Sequence, residues 1–351
     1  MQLEKYKKIS VSDDATLIEA LKKMDDVDHK LLLVFRDDKF YSLVSIGDIQ
    51  RAIIDNYNLD TTVGNVVRDD IRVAQTNESI EQIKERMLKY RNEFMPVLGS
   101  SGNLEKVIFW EEVFKGKDIA PKEKFDLPII VMAGGFGTRL RPLTHVIPKP
   151  LIPIGDKSML EHIFERFSKH GSDRFFISVN YKSDLIKYYL QNQDLPYDLQ
   201  FFTEDDPLGT AGSLSLIKNE IDDTFFVSNC DIIIEQDYSE ILNYHRKNNN
   251  ELTVISALKN YAIPYGTIDT GENGKLESLN EKPDLTFQIN SGMYILEPHL
   301  VDEIPDNTFF HITDLIEKIR KRDGKVGVFP VSEKSWKDVG EWDKYLDNIQ
   351  I

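Results

Sequence analysis

The chain has 351 residues, 41% of them hydrophobic, and a formal net charge of −16. This length allows two domains with separate cores. The negative charge argues against nucleic acid or an anionic membrane as a partner, and no apolar run is long enough to span a bilayer. With one cysteine, Cys230, and no signal peptide, we expect a cytoplasmic protein without an internal disulfide.

An internal repeat occupies residues 1–118, with copies over about 1–60 and 61–118. The segment Ile9–Met24 of the first copy is echoed by Ile71–Met87 of the second. Each copy is predicted to form an extended segment, an amphipathic helix, two short strands and a closing helix. The repeat resembles a tandem pair of CBS domains, an α+β module that often binds adenine nucleotides between its copies.

In the CBS family, a Ser/Thr-x-x-Asp element at the last strand–helix junction holds the ribose of the nucleotide. The first copy has this element as Ser45 and Asp48, whereas the second has Ile108 and Glu111 in its place. The resemblance therefore implies at most one ribose site of the usual type. Two alternatives are that Ser45 and Asp48 only cap a helix, or that the pair is a platform for homodimerisation without a ligand.

A charged linker over residues 119–126 leads to a second domain over 127–351. Short apolar segments then alternate with helical patterns, as in the predicted strand Phe175–Asn180 and the predicted helix Thr210–Asn219. This alternation predicts an α/β domain with a mainly parallel, Rossmann-like sheet and helices on both faces. Ligands of such sheets bind beyond the carboxyl ends of the strands.

The most informative stretch begins at the first strand of this domain. Four apolar residues, Ile129–Met132, lead into a glycine-rich turn that is followed by Arg139, Arg141 and Lys149. Backbone N–H groups and cations in this order are suited to polyphosphate. The stretch lacks the Gly-Lys-Ser/Thr of a Walker loop, and Leu140 stands where the dinucleotide fingerprint needs its third glycine.

The pattern GGxGTRL followed by PKPLIPI resembles that of the sugar-1-phosphate nucleotidyltransferases. In that family, an oxygen of a sugar-1-phosphate attacks the α-phosphorus of a nucleoside triphosphate, and a nucleotide-sugar and pyrophosphate form. Because two anions must meet, positioning and charge neutralisation carry most of the catalysis. We expect Arg139 and Lys149 to neutralise that charge. The nucleotide-binding residues that the resemblance implies are Ala133, Gly134, Gly135, Gly137, Thr138, Glu204, Gly209 and Thr210.

Two aspartates match the metal-binding pair of the family. Asp231 follows an apolar strand, and Asp338 lies in the segment WKDVG. The resemblance implies Mg²⁺ as the cofactor, because this ion suits one or two carboxylates completed by phosphates and water. The alternative is that each aspartate only caps a turn or loop. The sugar-phosphate residues that the resemblance implies are Tyr265, Gly266, Glu281, Lys282 and Asn290.

Glu204 lies in the segment TEDDPLGTAG, which resembles the base-reading segment of the family. Thymidylyl and uridylyl members usually have glutamine there, whose amide matches the mixed edge of uracil or thymine. An ionised glutamate only accepts hydrogen bonds, which fits the adjacent N1–H and N2–H₂ donors of guanine. Glu204 therefore favours GTP, unless it merely belongs to an acidic loop with Asp205 and Asp206.

The order of the domains, together with the glutamate, resembles the guanylyltransferases of bacterial legionaminic-acid biosynthesis, which act on glucosamine-1-phosphate. This implies GTP and glucosamine-1-phosphate as substrates, by analogy. Alternatives are mannose-1-phosphate with GTP, glucose-1-phosphate with UTP or dTTP, and a nucleotide-sensing CBS protein with an inactive transferase domain. The residues that argue against the last alternative are Arg139, Lys149, Asp231, Lys282 and Asp338.

Overall fold

The fold comes from a computed structural model of the chain. It divides into two compact units, Met1–Ala120 and Pro121–Ile351. Part of the predicted linker, 119–122, and the side chain of Glu111 lie outside the described part of the chain. Among the helices that the structure describes, none has the length and apolarity to cross a bilayer. The structure describes residues 6–68, 70–90, 92–114, 123–340, 342, 345 and 346.

Each copy of the repeat in the first unit forms a three-stranded sheet with two helices. The elements of the first copy are β1 (Ser10–Ser12), α1 (Leu17–Val27), β2 (Leu31–Arg36), β3 (Lys39–Ser45) and α2 (Ile46–Ile54). Those of the second copy are β4 (Ala74–Gln75), α3 (Ile80–Tyr90), β5 (Phe94–Leu98), β6 (Leu104–Phe109) and α4 (Trp110–Phe114). In both sheets a parallel pair is followed by an antiparallel pair. The element order predicted from the repeat is therefore confirmed.

Apolar side chains from both copies share one core. Leu33 and Phe35 of β2 pack in one cluster with Phe94 of β5 and Val107 of β6. The N–H of Val107 also donates to the hydroxyl oxygen of Tyr6 at 3.2 Å. Because each copy buries its sheet against the other, the repeat folds as one unit.

The elements of the second unit are β7 (Ile129–Met132), β8 (Pro153–Ile154), β9 (Lys157–Ser158), α5 (Met159–Ser168), β10 (Arg174–Val179), α6 (Ser183–Gln191), β11 (Asp198–Thr203), β12 (Phe225–Asn229), β13 (Ile232–Ile234), α7 (Tyr238–Asn248), β14 (Leu252–Ala262), β15 (Thr267–Thr270), β16 (Leu276–Asn280), β17 (Asp284–Leu296), α8 (Ile312–Lys321), β18 (Val326–Val331) and β19 (Trp336–Asp338). Seven of the strands form one sheet in the order β11-β10-β7-β12-β17-β14-β18. Of these strands, β17 runs antiparallel to both neighbours, and the other neighbouring pairs are parallel. The mainly parallel sheet predicted from the alternation is thus confirmed.

Helices cover both faces of this sheet, as the sequence predicts. On one face, Phe226 of β12 contacts Phe167 of α5 and Tyr238 of α7. On the other face, Phe176 of β10 lies in one cluster with Leu315 of α8. Strands buried on both faces need apolar side chains at successive positions, which explains the continuous apolar runs in the sequence.

The segment after Gly209 differs from its prediction. The helix expected over Thr210–Asn219 is a shorter 3₁₀ segment, Gly212–Ile217. The N–H groups of Ala211 and Gly212 both donate to the carbonyl of Phe310 at 3.0 Å, and the backbone of Ala211, with a φ of −140°, is not helical. A contact with a distant segment therefore overrides the local helical pattern.

Candidate active site

Predicted site residues follow three of four neighbouring parallel strands, and Asn180, which is not among the predicted residues, follows the fourth. The glycine turn follows β7, Asn180 follows β10, Glu204 follows β11, and Asp231 comes two residues after β12. Because β11, β10, β7 and β12 are parallel, their carboxyl ends meet at one edge of the sheet. This edge is where ligands of α/β sheets bind.

The glycine turn folds back tightly at Gly137, whose φ is +61°. A Cβ at this position would lie within 2.9 Å of side-chain atoms of Thr144 and Lys149. The Thr144 hydroxyl donates to the carbonyl oxygen of Gly137 at 2.9 Å and fixes the turn. Glycine is therefore required here both by the backbone angle and by the close approach.

The other residues of the turn differ in exposure. Ala133 is buried, and its N–H donates to the carbonyl of Ser178 at 3.0 Å. Thr138 and Gly135 are exposed, and among the described residues no atom lies within 4 Å of the position that a Cβ on Gly135 would take. The middle of the turn thus presents its backbone to open space, as a phosphate loop requires.

Two of the predicted cations converge on Asp231. Lys149 forms an ion pair with Asp231 Oδ2, and Nη2 of Arg139 lies 3.7 Å from the same oxygen. The Lys149 side chain is 12% exposed, whereas that of Arg139 is 54% exposed. The buried carboxylate of Asp231 thus holds a compact ammonium, while the guanidinium stays accessible to a ligand.

Asp338 reaches the same place through strand pairing. It ends β19, which pairs antiparallel with β13, so that Asp338 lies opposite Ile232. The N–H of Val339 donates to the carbonyl of Asp231 at 3.0 Å, and the N–H of Gly340 donates to Asp338 Oδ1 at 2.9 Å. The two predicted metal-binding aspartates are therefore neighbours in the fold.

Gly340 lies where these groups meet, and sequence reasoning missed it. A Cβ there would be within 3.0 Å of Asp231 Oδ2, Lys149 Nζ and Asp338 Oδ1. A side chain at this position would have to displace these groups from their present arrangement. Its position two residues after Asp338 is the signal that could have identified it.

The two aspartates are suited to a hard cation whose coordination shell is supplied partly by the protein and partly by a substrate. Asp231 and Asp338 supply carboxylate oxygens around one point, which suits Mg²⁺. In the part of the chain that the structure describes, no group of three or more His, Cys, Asp or Glu could hold a metal ion. A metal at this point would therefore need phosphate or water oxygens to complete its shell.

Glu204 is buried beside the glycine turn. The Ser178 hydroxyl donates to its Oε1, and the N–H of Leu208 donates to its Oε2 at 3.0 Å. Nδ2 of Asn180 donates to the backbone carbonyl of Glu204 at 2.7 Å. A Cβ on Gly134 would lie 3.0 Å from Oε1. The carboxylate is thus held in one orientation at the turn, by Leu208 of the same segment and by Ser178, which no motif identified.

Gly209 and Thr210 have structural partners. Gly209 has a φ of +82°, and a Cβ on it would lie 2.7 Å from the carbonyl oxygen of Phe310. The Thr210 hydroxyl accepts a hydrogen bond from the N–H of Ile312 at 3.0 Å, at the start of α8. These contacts account for both residues without a ligand.

The predicted sugar-phosphate residues lie on the hairpin β15–β16 and on β17. Tyr265 and Gly266 precede β15, and Glu281 and Lys282 follow β16. A Cβ on Gly266 would be 2.9 Å from Glu281 Oε2, so the two ends of the hairpin meet. Tyr265 is 75% exposed, which leaves its ring accessible.

Asn290 lies further along β17, towards the aspartates. Its Nδ2 donates to the Tyr294 hydroxyl at 2.7 Å, and its Oδ1 accepts from the N–H of Gly292 at 3.1 Å. A Cβ on Gly292 would collide with the side chain of Asn229, at the end of β12. Asn290 is thus close in the fold to the strand that precedes Asp231.

Cys230 lies between these elements as a buried free thiol. Burial raises its pKa to about 12. The thiol therefore stays protonated at neutral pH, and a cysteine nucleophile has no support here.

In the first unit, Ser45 and Asp48 form the capping box of α2. The N–H of Ser45 donates to Asp48 Oδ2 at 2.8 Å, and the N–H of Asp48 donates to the Ser45 hydroxyl at 3.3 Å. Asp48 Oδ1 accepts from Nε of Arg68 at 2.6 Å and forms an ion pair with Arg51. Both oxygens of this buried carboxylate already have partners within the unit.

Two family models match the chain. Residues 128–350 match the model described as nucleotidyl transferase, and residues 5–55 match the CBS domain. A probable mannose-1-phosphate guanylyltransferase 1 of Oryza sativa subsp. japonica is 30% identical over 63% of this chain and 63% of its own length. A mannose-1-phosphate guanyltransferase of Yarrowia lipolytica is 38% identical over 50% of each chain. The chain thus spans between half and two thirds of these relatives.

Solved structures agree with the fold. HddC from Yersinia pseudotuberculosis is 26% identical, with a TM-score of 0.51 over 64% of this chain and 98% of that chain. The same protein complexed with GMP-PN gives a TM-score of 0.50 at the same identity and coverage. The family model covers most of the second unit, including the glycine turn, Glu204, Asp231 and Asp338. The chain therefore belongs to the nucleotidyl transferase family.

Proposed function

We propose that the chain transfers a guanylyl group from GTP to a hexose-1-phosphate and releases pyrophosphate. The observation that carries this proposal is the meeting of Lys149, Asp231 and Asp338 around Gly340, beside a glycine turn at the carboxyl ends of parallel strands. The relatives from Oryza and Yarrowia are described as mannose-1-phosphate guanylyltransferases, which supports the class of reaction.

Charge neutralisation by side chains is the main catalytic device in this proposal. The backbone N–H groups of the turn and the planar guanidinium of Arg139 bind phosphate oxygens. Lys149 exchanges its partner Asp231 for an oxygen of the triphosphate, where its charge opposes the charge that develops on pyrophosphate. Asp231 and Asp338 would hold Mg²⁺, which when bound adds positive charge next to the same phosphates.

Glu204 selects guanine in this proposal. The donors from Ser178 and Leu208 occupy one acceptor position on each carboxylate oxygen and leave further lone pairs for the N1–H and N2–H₂ groups of the base. The same lone pairs would repel the carbonyl oxygens of uracil or thymine. The complex of HddC with GMP-PN supports a guanine nucleotide as a ligand of this fold.

For the acceptor we propose glucosamine-1-phosphate, because a CBS pair ahead of such a transferase resembles the guanylyltransferases of legionaminic-acid biosynthesis. Mannose-1-phosphate is the second candidate, since the named relatives are described as acting on it. The hydroxyls of the sugar would meet Glu281 and Asn290, and its phosphate would meet Lys282.

In this proposal the chain has a regulatory or assembling domain over residues 1–118, a linker over 119–126 and the transferase domain over 127–351. The ligand of the first domain would be an adenine nucleotide, because residues 5–55 match the CBS domain. The ribose would have to share Asp48 with Ser45 and Arg68, which already donate to this carboxylate.

The test is pyrophosphate release in the presence of Mg²⁺. Five triphosphates (GTP, UTP, dTTP, CTP and ATP) are each combined with the 1-phosphates of glucosamine, N-acetylglucosamine, mannose and glucose. We expect turnover with GTP, and the best acceptor identifies the sugar. Preference for UTP or dTTP would reject the role of Glu204 and keep the enzyme class. The Lys149→Ala variant is the negative control and should release no pyrophosphate. If the folded wild-type chain also releases none with any pair of substrates, a nucleotide-sensing role would be favoured.

A further inference from the structure

Exposed apolar side chains concentrate in one short segment of the second unit. Of the 18 large hydrophobic residues that are exposed in the described part of the chain, seven lie between Tyr261 and Phe287. Each of the seven side chains is between 43% and 75% exposed. Isolated exposed apolar residues are normal on a protein surface, but a cluster of this density marks an interaction site.

The segment is a two-stranded ribbon that extends from the central sheet; we call residues 258–290 the ribbon. β14 pairs with β18 over residues 252–257, but its pairing with β17 continues to Ala262. The N–H of Ile263 then donates to the carbonyl of Pro283 at 3.0 Å, and the strands β15 and β16 close the ribbon. Beyond residue 257 the only strand that the described chain pairs with β14 is β17, and the outer edge is contacted by Glu333, whose carboxylate accepts from the N–H of Asn260 at 2.9 Å.

The apolar residues of the ribbon fall on common faces. In the hairpin, Ile268 lies opposite Leu279, and Thr270, two residues further along the same face, lies opposite Leu276. The three apolar side chains thus share one face.

The same holds nearer the sheet, where Tyr261 lies opposite Leu285 and its ring is 6.1 Å from the ring of Phe287, which is on the same face. Both parts of the ribbon therefore present an apolar face to their surroundings.

The exposed apolar faces of the ribbon are expected to pack against another protein surface. Two strands without a packed face are at best marginally stable in water. Seven half-exposed side chains of this size offer on the order of 600 Å² of apolar surface. A standard interface buries about 800 Å² per partner, so the ribbon alone supplies most of one.

We propose that the ribbon is the interface of a homodimer, in which the ribbons of two copies pack around a two-fold axis. A second copy would cover the apolar faces of the two exposed strands. The ribbon carries both signs of charge. It contains three lysines (Lys259, Lys275 and Lys282) and five acidic residues (Asp269, Glu272, Glu277, Glu281 and Asp284). Mixed charges allow the ribbon to complement itself.

The pairing would also stabilise part of the candidate site. Tyr265, Gly266, Glu281 and Lys282 all lie in the ribbon, where the two ends of the hairpin meet. If these residues bind the sugar phosphate, as the proposed function has it, the second copy holds them in place. Dimerisation is then linked to the affinity for the sugar-1-phosphate more than to the affinity for the nucleotide.

Sedimentation velocity of the full chain at micromolar concentration tests the interface without reference to activity. We expect a species of twice the 40.5 kDa of the chain. Leu279→Glu should sediment as a monomer, and the matched control Leu88→Glu, at a residue 54% exposed on α3, should remain a dimer. A wild-type chain that stays monomeric, or a Leu279→Glu dimer as tight as wild type, would overturn the proposal.

Cross-linking provides a second readout that does not depend on breaking the interface. The one native cysteine, Cys230, is buried, so an added cysteine reacts almost alone. Leu279→Cys treated with a short bis-maleimide should give a covalent dimer, whereas Leu88→Cys should stay monomeric. Equal cross-linking of the two variants would contradict a specific ribbon contact.

Steady-state kinetics then test the link to the site. For Leu279→Glu we expect the KM for the sugar-1-phosphate to rise by about fivefold or more, with a smaller change in the KM for GTP. Unchanged KM values in a monomeric variant would reject the link but keep the interface. Absence of turnover in the wild type would reject the proposed function and leave the sedimentation result standing.

Discussion

Gly340 carries no functional group, yet it decides how closely Asp231, Asp338 and Lys149 can approach one another. All three have an oxygen or nitrogen within 3.0 Å of the point that a Cβ would occupy. The arrangement of the three charged side chains therefore depends on the space that a glycine leaves at position 340.

We expect Gly340→Ala to lower kcat by about 10²-fold, because a misplacement of about 1 Å in a positioned group costs that much. The thermal midpoint should change little, since the displaced groups are the ends of side chains. Pyrophosphate release and a thermal melt measure the two effects. Gly47→Ala is the control, because a Cβ there meets its nearest neighbours only at 3.6 Å. Activity within twofold of wild type would show that the site tolerates the extra atom.

Replacing Glu204 by glutamine tests the reading of the base. The amide presents a donor to the N1–H and N2–H₂ donors of guanine, so kcat/KM for GTP should fall by about 10- to 100-fold, as expected for one mismatched buried polar pair. The ratio of UTP to GTP turnover should rise. Asp206→Asn removes an exposed charge from the same loop and should change neither value. An equal effect of both variants would favour a general role of the acidic loop.

The charged residues of the site could be predicted from the sequence because each belongs to a contiguous motif. Arg139 and Lys149 follow the glycine turn, and Asp231 comes directly after an apolar segment. The roles of Ser178 and Gly340 could not be predicted, because they depend on which strands are neighbours. The Ser178 hydroxyl can donate to Glu204 because β10 and β11 are paired neighbours in the sheet.

At the scale of elements, the alternation of apolar and helical segments predicted the parallel sheet and its helices. The predicted strand Phe175–Asn180 is shifted by one residue, to Arg174–Val179. The failure at Thr210–Asn219 has a different cause, since the carbonyl of Phe310, about a hundred residues away, takes the N–H groups of that turn. Local pattern cannot report a partner so distant in sequence.

A buried histidine joins three elements of the second unit. Nδ1 of His245 in α7 lies 2.8 Å from Oγ1 of Thr253 in β14, and its Nε2 lies 2.9 Å from Oε1 of Glu297, just after β17. Burial lowers the pKa of His245, and the hydrogen bond to Glu297 opposes this only in part. The folded chain therefore keeps this imidazole neutral at a pH at which the unfolded chain protonates it.

Stability should consequently fall as the pH drops below about 6.5, the usual pKa of histidine, because the unfolded state then binds the extra proton. Urea unfolding at pH 7.5 and pH 5.5 measures this loss. We expect His245→Gln to show a smaller loss between the two values than wild type, and His145→Gln, at an exposed position, to match wild type. Identical curves for wild type and His245→Gln would show that this group does not set the pH dependence.

At the scale of the whole molecule, the chain has two units with separate cores. One is built around Leu33 and Phe94, and the other around Ile130 and Phe225. We expect calorimetry to resolve two transitions. GTP with Mg²⁺ at 100 times its Kd should stabilise the second unit by about 2.7 kcal/mol, and EDTA should abolish most of that gain.

AMP or ATP should raise the midpoint of the other transition if the first unit binds an adenine nucleotide, as proposed. We expect an increase in its midpoint that Asp48→Asn reduces, because the ribose would lose an acceptor. UMP is the control ligand. An unchanged first transition at millimolar AMP and ATP would establish Ser45 and Asp48 as helix caps only.

The pairing of β19 with β13 has a consequence for the time at which the candidate site is completed during synthesis. Asp338 and Gly340 come 107 and 109 residues after Asp231 along the chain. A ribosome that adds about 5 to 20 residues per second needs roughly 5 to 20 seconds to make that interval. During this time the glycine turn and the parallel strands can already fold, but the centre lacks its second carboxylate. The candidate site is therefore completed late in translation, after the strands that carry its other residues.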